Sequence, residues 1–295
     1  MKSDFITLLD YSGKEIEELI EKAIEVKSNI SKYGKELEGK TLGMLFQKTS
    51  TRTRASFEAG MTQLGGHAIF LDWRTTNFTL GSLEDEFKSL SRYCDALMFR
   101  AYKNSDIVAA AQASSVPLIN GLDELFHPCQ GLADLMTIKE KLGKLKGAKI
   151  AYIGDGNNVC NSLIIGCAKV GAQISVATPK GFEPYKKAIE LGEKEGLLKL
   201  SNDPIEAVKE AEVVYTDTWI SMGEEDQKKE KMKKFVGYTV DKKLLGNAFF
   251  MHCLPAHRGY EVADEVIDSD KSIVFDQAEN RMHSQKALLL KLMKE

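Results

Sequence analysis

Short apolar runs alternate with stretches of helical periodicity along almost the whole chain. The apolar runs fall at 41–46, 66–71, 95–100, 116–119, 149–153, 173–177, 212–216, 248–252 and 272–275. Their length suits buried strands rather than helices. In 51–64 the apolar residues Ala55, Phe57, Met61 and Leu64 recur at helical spacing, and similar patterns cover 131–142, 158–170 and 184–195. This order predicts an α/β fold built from βαβ units, with central parallel sheets flanked by helices. The Glu- and Lys-rich run 224–234 reads as a solvated helix or loop. Neither a solenoid repeat nor a low-complexity tract interrupts the pattern.

The stretch GKLKG at 143–147 separates a helical pattern from the next strand. It predicts two domains, 1–145 and 146–276, each with four or five strands and so its own sheet. A last helix, 277–295, is expected to return to the first domain. In open α/β sheets ligands bind beyond the carboxyl ends of the strands. The unusual polar residues fall at such ends: Ser50, Arg100, His127, Asn157, Asn158, Asp217, Cys253 and Arg281. The expectation is an active site in a cleft between the two domains, formed where these strand ends face each other.

Composition narrows the classes. A net charge of −3 argues against a nucleic-acid-binding surface. No apolar stretch reaches membrane-span length, and the N-terminus lacks a signal-peptide core. The five cysteines are odd in number and lack paired metal spacing, as expected of reduced thiols in a cytoplasmic protein.

Ser50-Thr51-Arg52-Thr53-Arg54 carries the most chemistry. It stands where a strand feeds a helix, and such a turn offers unpaired N–H groups and the positive end of the helix dipole. Its hydroxyls and guanidinia add donors suited to a phosphate. The chain has only seven arginines among its 40 basic side chains, so two in one turn point to planar recognition of an oxyanion. The plain alternative is a Ser cap followed by a charged first turn.

Other motifs are less specific. His127-Pro128-Cys129-Gln130 opens a helix, and its His and Gln suit a carbonyl and an amide, or simply a cap. Gly154-Asp155-Gly156-Asn157-Asn158 has Val159 where a dinucleotide-binding loop needs its third glycine, so a nicotinamide cofactor is not expected. The Asn pair suits an amino acid or a helix cap. Asp217, followed by Ser221-Met222-Gly223, offers a carboxylate for an ammonium and donors for a carboxylate, or an Asx turn. His252 and Cys253 would point to opposite faces of a continuing strand, which disfavours zinc. Cys253 is a substrate-contacting thiol or a packing residue.

Taken in order, FQKTSTRTR, QLGGHAIFL, HPCQGLADL, GDGNN, DTWISMG, HCLPAHRG and FDQAENRMHSQKALL resemble the aspartate/ornithine carbamoyltransferase family over nearly the whole chain. DTWISMG and HCLP resemble the ornithine branch. The resemblance implies transfer of a carbamoyl group from carbamoyl phosphate to the δ-amine of L-ornithine, giving citrulline and phosphate, with no metal or organic cofactor. It implies that Ser50, Thr51, Arg52 and Thr53 cradle the phosphate, and that Arg100, His127 and Gln130 hold the carbamoyl group. Asn158, Asp217, Ser221 and Met222 would bind ornithine. Cys253 and the backbone of Leu254 would lie near the reacting amine, and Arg281 would close on carbamoyl phosphate. The catalytic set implied is Arg100, His127, Asp217 and Cys253.

The family also implies a homotrimer or an assembly of trimers. The stretch 72–84, DWRTTNFTLGSLE, departs from the family's usual Gln and charged loop, which in a trimer reaches a neighbouring active site, so no roles are assigned to it. The residues alone leave two other readings open. One is another amine acceptor, such as putrescine or a modified ornithine; the other is a non-catalytic binding paralogue.

Overall fold

The computed structural model describes residues 4–220, 226 and 228–294. The chain divides into two compact units, one of residues 1–136 with 280–295 and one of residues 137–279. It passes from one unit to the other within α6 and again within α13, two helices defined below.

The first unit contains α1 (Gly13–Ser28), α2 (Ile30–Tyr33), β1 (Thr41–Phe46), α3 (Thr51–Gln63), β2 (His67–Asp72), α4 (Leu83–Leu90), β3 (Ala96–Arg100), α5 (Asn104–Ala113), β4 (Leu118–Leu122) and the start of α6 (Pro128–Leu142). Its four strands pair in the order β2-β1-β3-β4, all parallel. Every residue of β3, and all of β1 after Thr41, is buried, as a strand covered on both faces requires. Phe5 bonds to Leu118 and Asn120, which covers the outer edge of β4. One part of the core gathers Leu45, Phe78, Phe87, Leu97, Phe99 and Ile107. The divergent stretch 72–84 folds into two 3-10 turns, Trp73–Thr75 and Asn77–Thr79. There Asp72 grips Arg74 in a two-bond pair that holds its carboxyl down at about 2.

The second unit contains β5 (Lys149–Ile153), α7 (Asn158–Val170), β6 (Gln173–Ala177), α8 (Lys186–Lys194), β7 (Leu198–Ser201), α9 (Pro204–Ala207), β8 (Val213–Thr216), α10 (Lys228–Lys234), α11 (Lys242–Leu245), β9 (Phe249–Met251), α12 (Asp264–Ile267) and the start of α13 (Val274–Lys294). Its sheet is parallel throughout, in the order β7-β6-β5-β8-β9. The fold is the expected one: two α/β units, each with a central parallel sheet flanked by helices.

Two local expectations change. The predicted strand 272–275 is the lead-in to α13. Only one bridge, Phe250 to Ser272, pairs it with the sheet, and helix begins at Val274. A four-residue apolar run does not distinguish strand from helix by period alone. Conversely, Leu-Lys-Leu-Ser forms the edge strand β7, too short and too polar to stand out. Its exposed Lys199 suits an edge that must resist further pairing.

Each sheet has one point where strand order reverses. In the first unit it lies between β1 and β3; in the second, between β5 and β8. The loops after those four strands, with the first turns of α3 and α7 that they lead into, carry Ser50 to Thr53, the residues beyond Arg100, Gly154 to Asn158, and Asp217. Such reversals open a crevice at the strand ends, because the two loops leave in opposite directions.

Candidate functional site

In the first unit, Ser50 caps α3, its side chain accepting from the Thr53 N–H at 3.3 Å. The N–H groups of Thr51 and Arg52 lie in the same first turn, where helix geometry provides no intrahelical partner. Thr51 is exposed, Arg52 half-buried and Thr53 buried. Arg54 belongs to the helix surface: it pairs with Glu58 at 2.9 Å and lies over the Phe70 ring. Phe46 and Arg100 are register partners on β1 and β3, so Arg100 ends its strand level with the start of this turn. The Arg100 side chain is buried.

His127 sits immediately before α6. Its carbonyl accepts from the N–H groups of Gln130 and Gly131, and Pro128 occupies the first helical position, where no N–H is needed. The backbone therefore makes the cap while the ring is buried beside Arg281, with Nε2 3.4 Å from Nη1. Burial, and then the charges of Arg281 and Arg100, hold the imidazole well below its ordinary pKa, so it is neutral. Arg281 also donates to Gln130 Oε1 at 2.5 Å and to Thr53 Oγ1 at 3.3 Å. Gln130 Nε2 in turn donates to Asp134 Oδ1 at 2.7 Å. Thus Ser50, Thr53, His127, Gln130 and Arg281 converge, although Arg281 comes from a helix rather than a strand end.

Asp123 supports this group. Wholly buried, it accepts from the N–H groups of Leu125 and Phe126 at 2.7 Å each, and from Asn104 and Asn120. It thereby fixes the loop that delivers His127. Burial raises its pKa despite these donors. Burial also pushes the Cys129 thiol up to about 12, which leaves it inert beside the site.

In the second unit, Asn157 caps α7 through Oδ1, which accepts from Val159 and Cys160. Its amide Nδ2 donates to Asp217 Oδ2 at 2.8 Å. The Cys253 thiol donates to Asp217 Oδ1 at 3.0 Å. The carboxylate thus has a donor on each oxygen and is buried at the end of β8. Asn158 is the first residue of α7 and half-buried. Ser221 and Met222 lie outside the described residues.

Gly156 has no room for a side chain. A Cβ there would lie 2.4 Å from the Pro184 nitrogen and 2.5 Å from the Phe182 carbonyl oxygen. The segment 182–184 thus runs against this loop and fixes Asn157.

Asp217, His252 and Cys253 place three donor atoms within 4.8 Å of one another. The two His252 ring nitrogens are engaged, however. Nδ1 accepts from the Leu254 N–H at 2.8 Å, which puts the proton on Nε2, facing Glu261 at 3.2 Å. His252 therefore braces the loop that carries Cys253 and Leu254, the latter with a left-handed φ of 58°. A left-handed leucine is costly and persists only where its surroundings hold it.

Sequence reasoning also missed Lys231. Every other charged residue of α10 is exposed, yet the Lys231 side chain is 3% exposed and pairs with Asp155 at 2.6 Å. Phe182 and Trp219 pack on Phe235 just beyond that helix, and Lys231 lies over the Phe182 ring. Part of the charged run is therefore an anchor at the β5–α7 loop, not a solvated face. The only sequence signal was Phe235, four residues on, at helical spacing.

No described helix is long and apolar enough to cross a membrane. Two family models cover the chain. The carbamoyl-P binding domain of aspartate/ornithine carbamoyltransferases matches residues 3–140, and the Asp/Orn binding domain of the same family matches residues 146–292. An ornithine carbamoyltransferase of Pyrococcus horikoshii is 50% identical, over 98% of this chain and 95% of that relative. The anabolic ornithine carbamoyltransferase of Pyrococcus furiosus is 49% identical, over 98% of this chain and 96% of its own length. A solved ornithine carbamoyltransferase structure from Pyrococcus furiosus matches with a TM-score of 0.94 at 48% identity, covering 99% of this chain and 97% of that one. With both halves matched in order and relatives of near-equal length at such identity, the chain belongs to the aspartate/ornithine carbamoyltransferase family.

Proposed function

We propose that the protein transfers the carbamoyl group of carbamoyl phosphate to the δ-amine of L-ornithine, forming L-citrulline and phosphate, in arginine synthesis or breakdown. The observation that carries this reading is the group around Arg281: a guanidinium bonded to Thr53 and Gln130 and set beside a neutral His127. A guanidinium and hydroxyls at a helix N-terminus suit a phosphate, while an amide and a neutral imidazole suit a carbamoyl group.

Ser50, Thr51, Arg52 and Thr53 receive the phosphate, and Arg281 closes on it. Arg100, His127 and Gln130 hold the carbamoyl group. Asn158, Asp217, Ser221 and Met222 bind ornithine, with Cys253 and the Leu254 backbone at the reacting amine. The neutral amine attacks the carbamoyl carbon, forming the C–N bond, and the C–O bond to phosphate breaks. Arg100, His127 and the Thr53 hydroxyl stabilise the intermediate oxyanion. The amine's proton passes to the departing phosphate, itself a base. Asp217 and Cys253 orient the amine for attack. Holding both substrates together removes the entropy cost of their encounter.

The protein works in the cytoplasm as a homotrimer or an assembly of trimers, which sedimentation would distinguish from a monomer. The deciding experiment incubates the purified chain with carbamoyl phosphate and L-ornithine. Citrulline and phosphate in equal amounts support the reading; no citrulline removes it. Putrescine as a parallel acceptor tests the amino-acid preference, and a faster rate with it would reassign the acceptor.

A further inference from the structure

We infer that Asp134 is a positioning residue that sets donor specificity: it holds the Gln130 amide oxygen toward the bound acyl phosphate, so that an NH2 group is preferred over a methyl. The inference rests on the proposed role of Gln130 in holding the carbamoyl group.

Asp134 lies one turn after Gln130 on α6 and is wholly buried. Its Oδ1 accepts from Gln130 Nε2 at 2.7 Å, while Gln130 Oε1 accepts from Arg281 Nη1 at 2.5 Å. A guanidinium has only donors, and an ionised carboxylate only accepts. The amide orientation is therefore fixed chemically from both ends. Turning it over would set NH2 against the guanidinium and oxygen against the carboxylate.

An amide oxygen has two lone pairs, so one remains when Arg281 uses the other. That site accepts from a carbamoyl N–H and has nothing to offer a methyl. When Arg281 turns to the phosphate, Asp134 alone keeps the amide in place. This accounts for a carboxylate in the interior of α6, where burying one is costly unless it is hydrogen-bonded.

Carbamoyl phosphate and acetyl phosphate share charge and shape and differ by NH2 against CH3. The test measures KM for carbamoyl phosphate and inhibition constants for acetyl phosphate and inorganic phosphate. It uses the wild-type chain, Asp134→Leu and Asp134→Asn. In Asp134→Leu the KM for carbamoyl phosphate should rise about tenfold or more. The other two constants should stay within about twofold, because neither ligand uses the amide oxygen. Asp134→Asn keeps an oxygen that accepts from Gln130, so its KM should stay within about threefold of wild type.

A parallel loss of all three ligands in Asp134→Leu, or unchanged discrimination, overturns the inference. If Asp134→Leu does not fold, Asp134→Ser poses the same question, since its hydroxyl is one bond short of Gln130. Absence of citrulline from the wild-type chain would instead sink the reaction assignment, so the two failures are distinguishable.

Discussion

Cys253 and Asp217 form a thiol–carboxylate pair, Sγ to Oδ1 at 3.0 Å, with the Asn157 amide on the other carboxylate oxygen at 2.8 Å. The pair holds Asp217 in one orientation. A serine hydroxyl in place of the thiol still donates, whereas alanine does not. Cys253→Ala should lower kcat/KM for ornithine about tenfold to a hundredfold, the range for losing a hydrogen bond to a charged group. Cys253→Ser should fall between that variant and wild type. Equal losses in the two variants would deny the thiol its donor role.

Arg52 stands in the first turn of α3, half-buried and beside the backbone donors of the turn. Arg52→Ala should raise the KM for carbamoyl phosphate at least about tenfold. It should leave folding stability within about 0.5 kcal/mol, as for a partly exposed residue outside the core. Steady-state kinetics beside a thermal melt checks both. An unchanged KM would remove Arg52 from the phosphate site.

The Lys231–Asp155 pair is buried at both ends. Lys231→Met keeps the stem and removes the charge, leaving the Asp155 carboxylate buried without it. The expected cost is about 3–5 kcal/mol, seen as an earlier urea midpoint. Asp155→Asn combined with Lys231→Met should recover part of that loss, because it removes the buried charge that Lys231 offset. If the double variant is less stable than Lys231→Met alone, the pair is not the source of the effect.

His127 has a folded pKa well below its ordinary 6.5, from burial first and then the charges of Arg281 and Arg100. The unfolded chain therefore takes up a proton near that ordinary value while the folded chain does not. The stability contributed by the neutral ring is complete above 6.5 and is lost as pH falls from there toward the folded value. Urea midpoints at successive pH values should decline through this window in the wild type and less steeply in His127→Gln. Equal slopes would place the acid sensitivity elsewhere.

Much of the fold is legible because it depends on local periods. Helix α7 occupies the residues its pattern marks, 158–170, between an Asn cap and a left-handed Gly171. Strand β1 matches its apolar run at 41–46. The two lapses come from the same source. At 198–201 and 272–275 the runs are four residues long, and whether so short a segment pairs depends on its neighbours in space.

By itself the sequence determined the βαβ alternation, the two sheets and the identity of the polar residues at strand ends, because backbone hydrogen bonding and burial impose periods that a chain displays locally. Only the tertiary structure decided which of those residues meet. Arg281 reaches Thr53 across 228 positions and Gln130 across 151, and Cys253 reaches Asp217 across 36. Asn157 and Lys231 likewise find Asp217 and Asp155 across 60 and 76 positions. A buried polar group must find a partner wherever packing brings one, and no local period records that choice.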